Sequence, residues 1–214
     1  MDTMLSPAAL FGLGVAAAML YLPRTNRRIC WSRSIRKTLP VALFTLAAYV
    51  EAAPLLLVAA LALSALGDLA LSRPGERAFL AGMVAFACAH LAYIALMLAR
   101  GSDLQMSLWP LILPLLLIGA STEWWLRPHT DDLKWPVRGY VVIILVMGII
   151  ALGLPQIRWI ALWGAMLFVV SDLILSIETF VLDQDDPRRK WAGKAVWITY
   201  ISAQIGLFWG LGSL

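Results

Sequence analysis

Eight apolar runs, each of roughly the length that crosses a bilayer, alternate with short polar connections along the chain: 5–22, 38–52, 54–72, 78–99, 106–126, 136–154, 157–177 and 195–213. The second run is short, and only Ala52, Ala53 and Pro54 divide it from the third. A tight helical hairpin at one membrane face is expected there, since proline is tolerated at a helix start. No remaining stretch is long enough for a separate soluble domain. The pattern predicts an all-α polytopic membrane protein of about eight transmembrane helices, with residues 1–214 forming a single transmembrane domain.

Composition agrees with the pattern: 61% of the residues are hydrophobic and 14% charged, against roughly a quarter charged in a soluble domain. The basic residues add an orientation. With eight spans, the connections after the first, third, fifth and seventh share one side. They carry Arg24, Arg27, Arg28, Arg33, Arg36, Lys37, Arg73, Arg77, Arg127, Lys134, Arg138, Arg188, Arg189, Lys190 and Lys194, fifteen of the seventeen Lys and Arg residues. Arg100 and Arg158 fall on the other side. Positive charge stays cytoplasmic, so both termini are expected outside, in a bacterial cytoplasmic (inner) membrane. The net charge of +4 then finds its counterpart in anionic headgroups, and no nucleic-acid partner is implied. Asp2 stands where a cleavable signal would carry basic residues. Cys30 and Cys88, one in a connection and one inside a span, predict no structural disulfide.

Against this apolar ground two stretches repeat: GDLALS at 67–72 and SDLILS at 171–176. They belong to the longer LALSALGDLALS (61–72) and AMLFVVSDLILS (165–176), each closing a span that runs from outside to inside. Each is followed by a returning span with a polar centre, FACAHLAY (86–93) and YISAQIGL (200–207). This suggests a 4+4 parallel internal repeat in which Asp68 and Asp172 are equivalent and meet at the repeat interface. Ser64, Asp68 and Ser72 follow at i, i+4 to make one polar stripe, and Asp172 and Ser176 repeat the spacing. Asp68 lies about 6 Å from the cytoplasmic end of its helix. A carboxylate inside a membrane helix costs about 2.5–3.5 kcal/mol and is a functional candidate by default. The plainer alternative is that the aspartates cap the following loops or pair with Arg73 or Arg188.

Other polar residues are weaker candidates. His90 and Tyr93 share a face of the fourth span with Phe86, and Tyr200 and Gln204 sit in the eighth; all four suit substrate orientation. Glu123 is expected to pair with Arg127 at i+4, and Glu51 and Glu178 lie at helix ends. No HExxH, three-histidine set, CxxC, GxSxG or glycine-rich phosphate loop is present, so neither a metal site nor a cofactor is read.

LSALGDLALS (63–72), FLAGMVAFACAHLAY (79–93), GAMLFVVSDLILS (164–176) and YISAQIGL (200–207) resemble, in order and spacing, the signature helices of the YhhN/TMEM86 family. Characterised members are lysoplasmalogenases. The resemblance implies that Asp68 and Asp172 are the catalytic pair. It implies substrate-binding roles for His90, Tyr93 and Gln204, and for Lys37 through a loose match of Lys37-Thr-Leu-Pro40 to a basic residue before a proline in helix two; Tyr200 and Glu123 are added as substrate-binding candidates from their place in the spans. It also implies a lysophospholipid substrate, whose vinyl ether is hydrolysed to a fatty aldehyde and a glycerophospho-alcohol. Cleavage proceeds by alkene protonation, an oxocarbenium ion and water addition, which two carboxylates can serve as general acid and base much as in glycosidases. Two other classes fit the same residues: a proton-coupled transporter of small amphiphiles, with the aspartates as a relay, and a lysolipid-binding protein without turnover. Oligomeric state is left open.

Overall fold

The computed structural model describes residues 6–25 and 29–212; Asp2, Arg27 and Arg28 of the sequence reading lie outside them. Eight α-helices follow one another: α1 (Pro7–Tyr21), α2 (Trp31–Val50), α3 (Leu55–Leu71), α4 (Glu76–Ala99), α5 (Trp109–Trp125), α6 (Lys134–Leu152), α7 (Trp159–Ser176) and α8 (Arg189–Gly212). The helix count and all-α class follow the expectation. Among the described residues, six segments are long and apolar enough to cross a membrane: Pro7–Arg24, Glu76–Ala99, Met106–Trp125, Asp131–Leu152, Gln156–Val181 and Arg189–Gly212. α3 is apolar but only 17 residues long. α2 begins seven residues before its apolar run, and its first two turns carry Arg33, Arg36 and Lys37. α8 likewise starts at Arg189, ahead of its apolar run. Hydropathy sees only the stretch a bilayer buries, whereas a helix continues into the headgroup layer wherever no breaker stops it. The outward surface is rich in Leu13, Leu20, Leu55, Val84, Leu91, Leu117 and Ile157, all exposed, as suits a protein solvated by lipid.

Local chemistry sets the helix ends. Ser6 caps α1 by accepting from the Ala9 amide at 3.2 Å, with Pro7 at the first helical position. α2 closes as the Ala53 amide reaches back to the Ala48 carbonyl at 3.0 Å, with Ala52 left-handed at φ 55°. Pro54 then caps α3, so the tight hairpin at 52–54 is present. α7 runs into a π-helical turn, Ile177–Val181, whose end is tied down when Arg189 donates to the carbonyls of Glu178 and Leu182 at 2.6 and 2.9 Å. In the loop beyond, side-chain and backbone hydrogen bonds from Arg188 hold the Asp186 carboxyl below the usual carboxylate range.

The chain forms two compact units, Met1–Leu96 with Leu211–Leu214, and Met97–Gly210. The break falls near the end of α4.

In the first unit α1 packs on α2 where Gly14 leaves room for Phe44: a Cβ there would come within 2.7 Å of the ring. Phe11 stacks on Phe44 at 4.9 Å. α3 and α4 approach equally closely, Gly67 lying under Phe86 and Gly82 under Leu71.

In the second unit α7 and α8 touch backbone to backbone. A Cβ on Gly206 would lie 2.9 Å from the Gly164 Cα and 3.1 Å from the Ile160 carbonyl oxygen, and one on Gly210 would strike Ala161. Gly206-Leu-Phe-Trp-Gly210 is thus the small-residue seam of this helix pair, of the kind that lets membrane helices close up without side chains between them.

Candidate functional site

Asp68 and Ser64 sit on α3 and Ser72 caps its end, and all three are buried. The polar stripe expected from the i, i+4 spacing therefore faces the interior of the first unit. Ser64 returns its hydroxyl to the Ala60 carbonyl at 2.8 Å and Ser72 to Leu69 at 2.6 Å. Asp68 receives Lys37 of α2, Nζ to Oδ1 3.3 Å, with the lysine side chain 20% exposed and the aspartate 2%. Lys37, expected near a headgroup, is placed on the candidate catalytic carboxylate. Arg73 lies over the Trp31 ring at 4.0 Å and donates to Ser34 at 3.3 Å. The same unit buries His90 and Tyr93 completely on α4, with the Phe86 and His90 rings stacked at 6.5 Å.

In the second unit Asp172 of α7 is half-buried and accepts a hydrogen bond from the Tyr140 hydroxyl of α6 at 2.6 Å. Tyr140 escaped the sequence reading because an aromatic residue in an apolar helix carries no local mark of its partner. The repeat, however, could have pointed to it. Lys37 and Tyr140 are the seventh residues of the second and sixth helices, and they lie 103 positions apart where the aspartates lie 104 apart. Asp68 is met by a side chain from α2 and Asp172 by one from α6. The residue before each aspartate also looks the same way: Gly67 packs under Phe86 of α4, and the Ser171 hydroxyl donates to the Val196 carbonyl of α8 at 3.2 Å.

Tyr200 and Gln204 of α8 are buried in the same unit, Tyr200 edge-on to Phe168 at 5.5 Å and tilted against Trp197 at 6.0 Å. Glu123 goes elsewhere. Its close partner is Arg138 of α6, which grips both carboxylate oxygens, Nε to Oε1 at 2.7 Å. The expected partner Arg127 stands at 3.9 Å. Arg138 and Tyr140 are two residues apart and so point to nearly opposite sides of α6. The carboxylates of Glu123 and Asp172 are therefore held on different faces of that helix. Arg188, the other cation considered for an aspartate, is bonded to Asp186 at 2.7 Å.

The paired settings sit in signature segments that a family model spans almost whole: the YhhN family model matches residues 32–211. The chain belongs to the YhhN family. Among relatives of this YhhN chain, the human protein named Lysoplasmalogenase TMEM86B (Homo sapiens) is 39% identical over 151 residues, 70% of this chain and 60% of the relative. A protein named Lysoplasmalogenase from Mycobacterium bovis is 34% identical over 165 residues, 72% of this chain and 60% of its own length. The Lysoplasmalogenase TMEM86B of Sus scrofa is 34% identical over 151 residues, 68% and 58% of the two chains. The YhhN chain thus spans about 60% of the length of the curated relatives it matches. No solved structure matches it significantly.

Proposed function

We propose that this YhhN chain is a multi-pass membrane hydrolase that cleaves the vinyl ether of a lysoplasmalogen. It lies in the cytoplasmic membrane with the basic connections inside and both termini outside. The relatives' names supply the reaction class. The observation that carries the reading to residues is the matched pair of settings, Lys37–Asp68 at 3.3 Å and Tyr140–Asp172 at 2.6 Å.

The reaction asks for few groups. A proton is delivered to the alkene carbon remote from the ether oxygen, the adjacent carbon becomes part of an oxocarbenium ion, and water adds there. The hemiacetal then collapses to a fatty aldehyde and the glycerophospho-alcohol, with one water consumed and no net proton. Asp172 with the Tyr140 hydroxyl forms the pair through which the proton passes. Asp68, salt-bridged to Lys37, takes the role of the second carboxylate, the base that receives a proton from the attacking water. The division of labour parallels the paired carboxylates of glycoside hydrolysis. His90, Tyr93, Tyr200 and Gln204, buried on the fourth helix of each set, orient the substrate, and Lys37 holds Asp68 in place of binding a headgroup. Apolar chain and polar head fit a substrate drawn from the membrane itself.

The test is aldehyde release from 1-alkenyl lysophospholipid by purified protein. Asp68→Asn and Asp172→Asn, each inserted and monodisperse, are expected to lose about 10²–10⁴-fold in turnover, the usual weight of a general acid or base. Wild-type rates in both variants would overturn the mechanism. Transmembrane flux of lysolipid without any aldehyde would instead point to transport.

A further inference from the structure

The cytoplasmic ends of α5 and α6 enclose a hollow that the proposed reaction does not use. It is lined by Thr122, Glu123, Arg127, Thr130, Lys134 and Arg138, with Leu126, Val137 and Val141 as its apolar floor, and its space with the open mouth is about 210 Å³. Most of that space is open mouth and little of it is enclosed, so an anion there would lie against the rim side chains and not inside a closed cavity.

Three cations and one carboxylate converge there, leaving an excess of two positive charges. The carboxylate is already committed: Glu123 is held in a two-point grip by Arg138. Arg138 is further fixed against the Trp135 ring at 4.8 Å. Arg127 touches Glu123 only at 3.9 Å and is 58% exposed, and Lys134 is exposed at the start of α6. A long, exposed ion pair of this kind is readily exchanged for another anion. The hydroxyls of Thr122 and Thr130 donate to the Gly119 and Arg127 carbonyls at 2.6 and 2.9 Å, so they shape the wall of the hollow.

The surroundings identify the anion's source. Trp124 and Trp135 beside the hollow are exposed, as tryptophan is at headgroup depth. Above it α5 has only 6% of its apolar window buried, with Leu113, Leu116 and Leu117 turned outward. Leu116 stands seven residues from Glu123, about 10 Å along the helix. A molecule with its phosphate between Arg127 and Lys134 has its chains laid along that face. Basic pockets between transmembrane helices on the cytoplasmic side are known seats for anionic headgroups. The Asp172–Tyr140 pair lies on the other side of α6, so the occupant is a resident lipid and not the reacting one.

We infer that the Arg127–Lys134 hollow at the α5–α6 turn is a binding site for the headgroup of an anionic bilayer phospholipid, separate from the Asp172 centre. The experiment is native mass spectrometry of the detergent-solubilised chain titrated with dioleoylphosphatidylglycerol or dioleoylphosphatidylcholine. The wild type is expected to prefer the anionic lipid by about 30-fold, the share of two cations near a membrane surface. Arg127→Gln with Lys134→Gln, which leaves the Glu123–Arg138 pair intact, removes that preference, while Lys190→Gln with Lys194→Gln, an equal loss of charge on α8, keeps it. No preference in the wild type, or equal loss in both double variants, overturns the site in favour of diffuse surface charge. Displacement of the lipid by millimolar inorganic phosphate overturns it in favour of a free-anion site. Should the first double variant fail to fold, Lys134→Gln alone must lower the preference about fivefold, and an unchanged preference sinks the proposal.

Discussion

Removing Lys37 would take the cation of an ion pair from a carboxylate that is 2% exposed, and breaking a buried pair by deleting one partner costs about 3–5 kcal/mol. Lys37→Met is therefore expected to lower unfolding stability in mixed micelles by roughly that amount. Adding Asp68→Asn to it should recover much of the loss, because the charge that needed a partner is then gone. Additive losses in this cycle would show that the two side chains do not act as a pair. Tyr140 offers a finer probe. Tyr140→Phe keeps the ring and removes one hydrogen bond to a carboxylate, of a kind worth about 1.5–3 kcal/mol. Turnover should fall about tenfold or more with KM little changed, whereas a purely structural role predicts an altered melting curve and unaltered turnover per folded molecule. The aspartates themselves were legible in the sequence, because a charge in an apolar run announces itself by its cost. Their partners were not. Lys37 reads as one of a row of basic residues, Tyr140 as an ordinary aromatic, and Glu123 as half of an i, i+4 pair with Arg127. Each real contact crosses from one helix to the next, and local spacing carries no information about that crossing.

Helices were the most legible level, since a bilayer demands long apolar runs and the hairpin at 52–54 is punctuated by Pro54. The departures have one cause: α2 and α8 begin in basic segments that remain helical outside the hydrocarbon, where hydropathy falls to nothing. Packing between helices was hidden for a different reason. Gly206 and Gly210 look unremarkable in an apolar stretch, and only the approach of α7 gives them meaning. Gly206→Leu would drive a branched side chain into the Gly164 backbone, where even a Cβ comes within 2.9 Å. Separation of α7 from α8 would disturb Ser171, bonded to Val196 at 3.2 Å, and with it the neighbouring Asp172. Overpacking costs about 1–3 kcal/mol, so Gly206→Leu should reduce both the melting temperature and turnover. Gly12→Leu, at a glycine of α1 whose added Cβ meets nothing within 4 Å, serves as the control and should change neither.

At the scale of the whole molecule, the asymmetry of fifteen basic residues against two ties the proposed reaction to one leaflet. Both aspartates approach the end of their helix that carries the positive charge, so in the proposed orientation the proposed substrate is taken from the cytoplasmic side. The two free cysteines, Cys30 and Cys88, both exposed, make this measurable without engineering. Cys30 caps α2 between Arg24 of the preceding turn and Arg33 of the first helical turn, where the basic residues mark the proposed headgroup layer. Cys88 lies twelve residues into α4, about 18 Å along the helix axis, so its exposure is to lipid tails. A membrane-impermeant maleimide should leave intact cells unlabelled, label Cys30 in inverted vesicles, and spare Cys88 in both. A thiol in hydrocarbon is not reached by a charged reagent. Cys30→Ser should abolish the signal. Labelling of Cys30 in intact cells would reverse the orientation and move the aspartates to the outer leaflet. Labelling of Cys88 in inverted vesicles would mean that α4 borders water there, and that the face carrying it is not turned to lipid.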